Sequence, residues 1–450
     1  MELYSKNTLL HLLQDEKNTM GDPNTDLPVK TNEEISSHDL QLSPPRPSIS
    51  SPGSPWTLSP LRAPLPPLLY QCIASLHRCE GNIYSIAISK GIVFTSSNSN
   101  RIRVWRQPDC SEQGYIRASY GDVKAMVPYG HNKLFTAHGD NKIRLWNFKV
   151  GSEKFQSKKL STLPRKYSKF FLFPKHISSS DQLHKDFVSC MAYYHAEGLL
   201  YTGSYDMTVK AWRVSDNKCV DSFVAHEDHI NALVVNQDDG CVFTCSSDGS
   251  VRVWRRIYRE NPHSLTVTLK FRQVPVNALA LSTWFNQCFL YSGSSDGTIN
   301  FWEKEKLSGR FNHGGFLQGH RFSVLCLASI GRLIFSGSED TTIRVWRRNE
   351  ESCLHECLAV LEGHRGPVRC LAACLEMERV VVGFLVFSAS LDKTFKVWRV
   401  RDPGDEGACL DYTDQSGPVI NRRMMMEYDS SPALSPSWVE KKLQGNYYFH

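Results

Sequence analysis

From about Tyr70 to Val400 the chain is built of short runs in which apolar and polar positions alternate, and seven of these runs end on a tryptophan. Ile334-Phe335-Ser336-Gly337-Ser338-Glu339-Asp340-Thr341-Thr342-Ile343-Arg344-Val345-Trp346 is the clearest copy; others end at Trp105, Trp146, Trp212, Trp254, Trp302 and Trp398. Alternation such as Ile343, Val345 or Ile102, Val104 predicts β-strands with one face buried. Turn pairs such as Asp248-Gly249 and Asp296-Gly297 predict the hairpins between them. Successive tryptophans are 41, 66, 42, 48, 44 and 52 residues apart. A repeat of about 40 to 45 residues ending in this phrase is one blade of a propeller. The prediction is an all-β, seven-bladed β-propeller.

The strand pattern also predicts how the ring closes. After Trp398 the run Val400-Arg401-Asp402-Pro403-Gly404 breaks at once, so the last blade lacks an outer strand from its own repeat. Tyr70-Gln71-Cys72-Ile73-Ala74-Ser75-Leu76 precedes the first blade and resembles the outer strands at Lys218–Phe223 and Glu356–Leu361. The N-terminal strand is therefore expected to complete the last blade, which removes long free edges.

The propeller is predicted over 69–401, between a disordered Ser/Pro-rich leader at 1–68 and a disordered tail at 402–450. The stretch 43–67 is dense in Ser and Pro and too poor in apolar residues to offset the entropy of ordering. Its four Ser-Pro pairs, from Ser43, Ser51, Ser54 and Ser59, are expected substrates of proline-directed kinases.

Charge adds one local feature. The chain carries +6, and residues 147–185 hold nine Lys/Arg against two acids, or +7, which leaves −1 elsewhere. The 66-residue gap assigns this stretch to a basic insertion after the second blade. Its Lys158, Lys159, Arg165, Lys166, Lys169, Phe170, Phe171 and Phe173 are candidates for partner binding, cations for phosphates or carboxylates and rings for burial. A basic character confined to one segment argues against a general nucleic-acid-binding surface.

The cysteines lack the paired spacing of a zinc site and repeat in strand register, so they read as reduced packing residues. The chain shows neither a signal-peptide pattern nor an apolar run long enough to span a bilayer. A cytoplasmic and nuclear location is the expectation, with no cofactor and no metal.

His, hydroxyl, Asp and Trp recur in fixed order: His184, Thr202, Asp206, Trp212; His226, Thr244, Asp248, Trp254; His320, Ser336, Asp340, Trp346; His364, Ser388, Asp392, Trp398. A hydrolase needs one such constellation. A fold made of copies needs one polar bridge per copy, and the repetition favours that structural role.

Gly319-His320, Gly363-His364 and the Ser-Gly-Ser-x-Asp…Val-Trp phrases resemble the WD-repeat family. That resemblance implies four antiparallel strands per blade and a monomeric platform for protein complexes. The chain departs from it: the residue after Trp is Arg, Asn or Glu where the family has Asp, and Cys79, Ser119 and Arg272 stand where blades 1, 2 and 5 would have His. Ser99 replaces the blade-1 Asp, so complete bridges are expected only in blades 3, 4, 6 and 7. Ser54-Pro55-Trp56, the leading strand, the basic insertion and Gly363-His364-Arg365-Gly366-Pro367-Val368 are similar to the plant JINGUBANG-type WD-repeat proteins. That likeness implies a regulator of pollen germination and tube growth acting through proteins such as transcription factors. The alternative is a substrate receptor of a cullin-RING ubiquitin ligase, bound through a ligase adaptor. Trp398-Arg399-Val400-Arg401 keeps the final Arg of the Trp-Asp-x-Arg phrase of that class but not its Asp.

Overall fold

Alternating Val, Ile, Phe and Trp positions bounded by Gly/Asp turns fold into seven antiparallel sheets of four strands each. The computed structural model describes residues 68–77, 81–119, 121–151, 155–164, 183–256, 262–284, 287–305, 310–349, 354–377 and 382–401. Residues 1–67 of the leader, the tail, Cys79 and residues 165–182 lie outside them, and so do the expectations about disorder and phosphorylation.

Each blade starts with an inner strand: Ile83–Ser89, Val123–Tyr129, Val188–Tyr194, Ile230–Val235, Val276–Trp284, Val324–Ile330 and Val368–Met377. Every inner strand packs against the next, and the seventh packs against the first, so the ring is closed around its axis. The tryptophans sit on the third strands. The seven apolar clusters each draw on two neighbouring blades, as where Ile86, Val93 and Trp105 of blade 1 meet Leu385, Phe387 and Phe395 of blade 7. The core is thus a set of seams, with Trp105 stacked on Phe395 at 5.9 Å across the closing one.

Closure uses the N-terminal strand. Leu69–His77 is the outer strand of blade 7, antiparallel to Thr394–Arg401, with Tyr70 opposite Val400 and His77 opposite Thr394. Ile73, Ala74 and Leu76 pack on the seam between blades 7 and 1.

One boundary needs correction. Lys158 and Lys159 do not belong to an insertion: Phe155–Leu163 is the outer strand of blade 2, with Lys158 opposite Asn147 and Lys159 opposite Trp146. The strand was hidden because its middle, Gln156–Leu160, is exposed and lacks an apolar alternation. Charged side chains on an outer strand discourage edge-to-edge pairing. Arg165, Lys166, Lys169, Phe170, Phe171 and Phe173 fall outside the described residues.

Candidate functional site: polar quartets and the loop face

The quartets are assembled from four elements of each blade. His comes from the loop before the inner strand, the hydroxyl from the second strand, Asp from the turn after it and Trp from the third strand. In blade 3, Trp212 Nε1–H donates to Thr202 Oγ1 at 3.0 Å. Thr202 Oγ1 lies 2.8 Å from His184 Nε2, and His184 Nδ1 lies 3.0 Å from Asp206 Oδ2. Blade 4 repeats this with Trp254 to Thr244 at 3.0 Å, Thr244 to His226 at 2.8 Å and His226 to Asp248 at 2.9 Å. Trp346, Ser336, His320 and Asp340 give 2.9, 2.7 and 2.8 Å. Trp398, Ser388, His364 and Asp392 give 2.9, 2.8 and 3.1 Å.

One neutral tautomer satisfies every link. Indole N–H donates to the hydroxyl oxygen, hydroxyl O–H to Nε2, and Nδ1–H to the carboxylate. The carboxylate gains more donors. Asp206 accepts from Lys185 N–H at 2.7 Å, Thr208 N–H at 2.9 Å and Thr208 Oγ1–H at 2.6 Å. Burial alone would raise the Asp206 carboxyl, but the histidine and these donors hold it well below the usual range. Asp248, Asp340 and Asp392 are held at about 2 by the same opposition. Burial pushes His184, His226, His320 and His364 below the ordinary imidazole range, although each Asp pulls the other way.

The geometry excludes the hydrolase reading of these sets. The four imidazoles are at most 1% exposed, so no substrate carbonyl can approach the hydroxyl between His and Trp. What the quartet does is tie loop, turn and two strands into one register. His320→Ala orphans Ser336 and Asp340 and should destabilise the domain by about 1 to 3 kcal/mol. Chemical denaturation of the variant measures this, and a midpoint equal to the parent's would contradict the role.

The blades without the loop histidine each differ. In blade 1, Trp105 still donates to Thr95 at 2.9 Å, and Ser99 closes the turn against Ser97 at 2.9 Å. Blade 2 supplies an imidazole from elsewhere. His138, on the second strand, bonds Thr136 Oγ1 at 2.7 Å, and Thr136 accepts from Trp146 at 2.8 Å. Asp140, released from a histidine, takes both Nη atoms of Arg144 at 2.8 and 2.6 Å. Sequence reasoning missed His138 because it looked for His only in the loop. The signal was present, since His138 stands where the repeat otherwise has Ser, two residues after the hydroxyl. In blade 5, Ser292 Oγ has no hydrogen-bond partner among the described residues.

A second repeated device went unread. Each inner strand carries a register shift at its start, at Tyr84, Lys124, Ser189, Asn231, Asn277, Leu325 and Arg369. Ser189 Oγ donates to Ile230 O of the next blade, Asn231 Nδ2 to Val276 O at 2.9 Å and Asn277 Nδ2 to Val324 O at 3.1 Å. Cys326 Sγ and Cys370 Sγ make weaker versions to Val368 O at 3.4 Å and Ile83 O at 3.7 Å. These bonds stitch five of the seven seams at one level, and account for Cys326 and Cys370 recurring in register.

On the loop face, Tyr205 stacks on His229 at 4.4 Å and meets Phe187 at 4.0 Å. All three are part-exposed, and Arg369 is exposed close enough to act on the Tyr205 hydroxyl. Lys124 Nζ lies 3.7 Å over the Tyr84 ring. Phe322, from the equivalent loop of blade 6, is 59% exposed, which no core contact requires. Aromatic rings beside a cation form the composition of a protein-binding surface.

The family model of the WD domain, G-beta repeat, matches residues 177–213, 217–255, 264–303, 312–347 and 355–399. No curated protein matches the chain. Four of the matched units are offset from the blades by one strand: 217–255 takes the outer strand of blade 3 and the three inner strands of blade 4. Four of the five matched units therefore bridge two blades, as the closing strand Leu69–His77 does for the whole ring, while 177–213 holds strands of blade 3 alone. Blades 1 and 2 fall outside the match. Five repeats of the WD-domain type thus lie within a closed ring of seven four-stranded blades.

Proposed function

We propose that this chain is a non-catalytic scaffold or adaptor that receives a protein partner on its loop face, around Phe187, Tyr205, His229, Phe322 and Arg369. The observation that carries the reading is the part-exposed Phe187–Tyr205–His229 stack beside exposed Arg369, on loops held rigid by quartets of blades 3, 4 and 7. The likeness to JINGUBANG-type proteins supports a finer reading, in which the chain regulates pollen germination and tube growth through protein partners, transcription factors among them, met in cytoplasm and nucleus. The residues 165–182 with Lys158 and Lys159 are a second contact candidate. A ligase-receptor role has less support: Arg399, standing where that class has Asp, donates from Nε and Nη2 to Glu376 at 2.6 Å each, inside its own blade.

The test is quantitative co-purification from the same cells with the full chain, a Tyr205→Ala/Arg369→Glu variant and a chain lacking 165–182. Loss of one or more partners by roughly tenfold in the double variant is expected. An unchanged partner set in a folded double variant would remove the loop face from consideration; loss only in the deletion would move the site to the basic segment.

A further inference from the structure

Blade 5 keeps three parts of the quartet without the fourth. Ser292, Asp296 and Trp302 hold the positions of hydroxyl, carboxylate and indole, while Arg272 stands at the histidine position. Arg272 does not reach the hydroxyl. Its side chain is 55% exposed, and Nη1 holds Asp296 Oδ2 by one contact of 3.5 Å. Asp296 Oδ1 is already engaged by Thr298 N–H at 3.0 Å and Oγ1–H at 2.6 Å, which leaves Oδ2, the oxygen that takes the imidazole in the sibling blades, facing the Arg272 side.

The ring position is a cleft. Phe271, Arg272, Val274, Ser292, Asp296 and Trp302 are among its lining residues; its enclosed space is about that of one water molecule, so a ring can enter only as Arg272 moves outward. Ser292 is 1% exposed, and its unpartnered Oγ lines this cleft. Trp302 is 4% exposed, and its indole does not bond Ser292 as the other tryptophans bond their hydroxyls. Phe271, stacked on His313 at 4.4 Å, forms the outer lip. A buried hydroxyl without a partner costs free energy that a matching ligand recovers.

We propose that this cleft is a binding site for a neutral imidazole-class ring, one nitrogen accepting from Ser292 Oγ–H and the other donating its N–H to Asp296 Oδ2. The chemistry is read from the molecule itself: four other blades hold that ring between the same groups, covalently attached. Arg272 is displaced outward as the ring enters, exchanging one long contact for solvent. The ring can arrive as a free small molecule or as a histidine side chain of a partner.

The full chain is melted at about pH 8.5, where imidazole is neutral, with and without imidazole. A rise of roughly 2 to 4 °C at saturation is expected, together with movement of the Trp302 indole N–H resonance. Arg272→His should fill the cleft with its own ring, melt above the parent and lose the response. Ser292→Ala, which keeps Arg272, should weaken it, and 1-methylimidazole, without an N–H, should act less than imidazole. Gly-His-Gly against Gly-Ala-Gly separates the sources: a response to the first assigns a side-chain ligand, and a response to imidazole alone assigns a small molecule. No shift in the parent overturns the proposal. So does an equal shift in Ser292→Ala and Arg272→His, or in Ser292→Ala alone should Arg272→His not fold.

Discussion

A chain lacking residues 69–77 should melt roughly 10 °C or more below the full chain. Those nine residues form the whole outer strand of blade 7. They pair with Thr394–Arg401 along its length, and Lys396 Nζ reaches Ser75 Oγ at 2.6 Å. Their removal uncovers the seam where Ile73, Ala74 and Leu76 lie on the cluster shared by blades 7 and 1. Lost ladder bonds at about 1 kcal/mol each and the lost apolar burial together reach about 5 kcal/mol, comparable with the stability of many domains. The consequence is global, because the strand joins the first segment of the ring to the last. The truncated chain also exposes the edge of Thr394–Arg401, a template for association. Adding residues 69–77 as a peptide should restore part of the melting temperature, since an extended peptide can complete an open sheet. Identical melting of truncated and full chains would show that closure contributes nothing.

The ring and its closing strand were legible because their signals are periodic. A tryptophan every forty-odd residues and a phrase copied seven times survive local noise, and the leading strand resembles the outer strands it joins. What was not legible was local substitution inside the period. His138 supplies from a strand what the other blades take from a loop, and spacing alone does not reveal that an imidazole can reach the same hydroxyl from either side. Lys158 and Lys159 read as insertion because an outer strand at the rim need not alternate: its partner face is backbone, and its side chains are mostly in water. The seam bonds of Ser189, Asn231 and Asn277 depend on register shifts, which move one residue out of the pleat and leave no compositional trace. The cleft at Ser292 follows from one replaced residue, Arg272, whose absence from the quartet is visible in sequence but whose outward turn is not.

Acid should unfold this propeller early, with stability falling from about pH 6.5 downward. Five histidines, His138, His184, His226, His320 and His364, are buried and held neutral, their pKa values lowered from 6.5, His138 to about 3. Burial is the first cause in each; for His138, Arg144 adds to it. The unfolded chain takes up a proton on each below 6.5, while the folded chain does not until its own lower value is passed. Within that window the unfolded state binds more protons, so stability decreases as pH falls. Each histidine contributes up to about 1.4 kcal/mol per pH unit, and five acting together up to about 7. The quartet carboxylates extend the loss. Asp248, Asp340 and Asp392 titrate near 3.8 unfolded and at about 2 folded, so their contribution, full above 3.8, disappears between those values. Denaturant midpoints at pH 7.5, 6.5, 5.5 and 4.5 measure the slope. A His138→Gln variant, which removes one titrating ring, should be less stable at pH 7.5 yet lose stability less steeply toward pH 4.5. Equal midpoints at pH 7.5 and 5.5 would mean that the imidazoles titrate alike in the folded and unfolded chain, and a higher midpoint at pH 5.5 would mean that they carry their proton in the folded ring, so that the bond between Nε2 and the hydroxyl would have to be reversed.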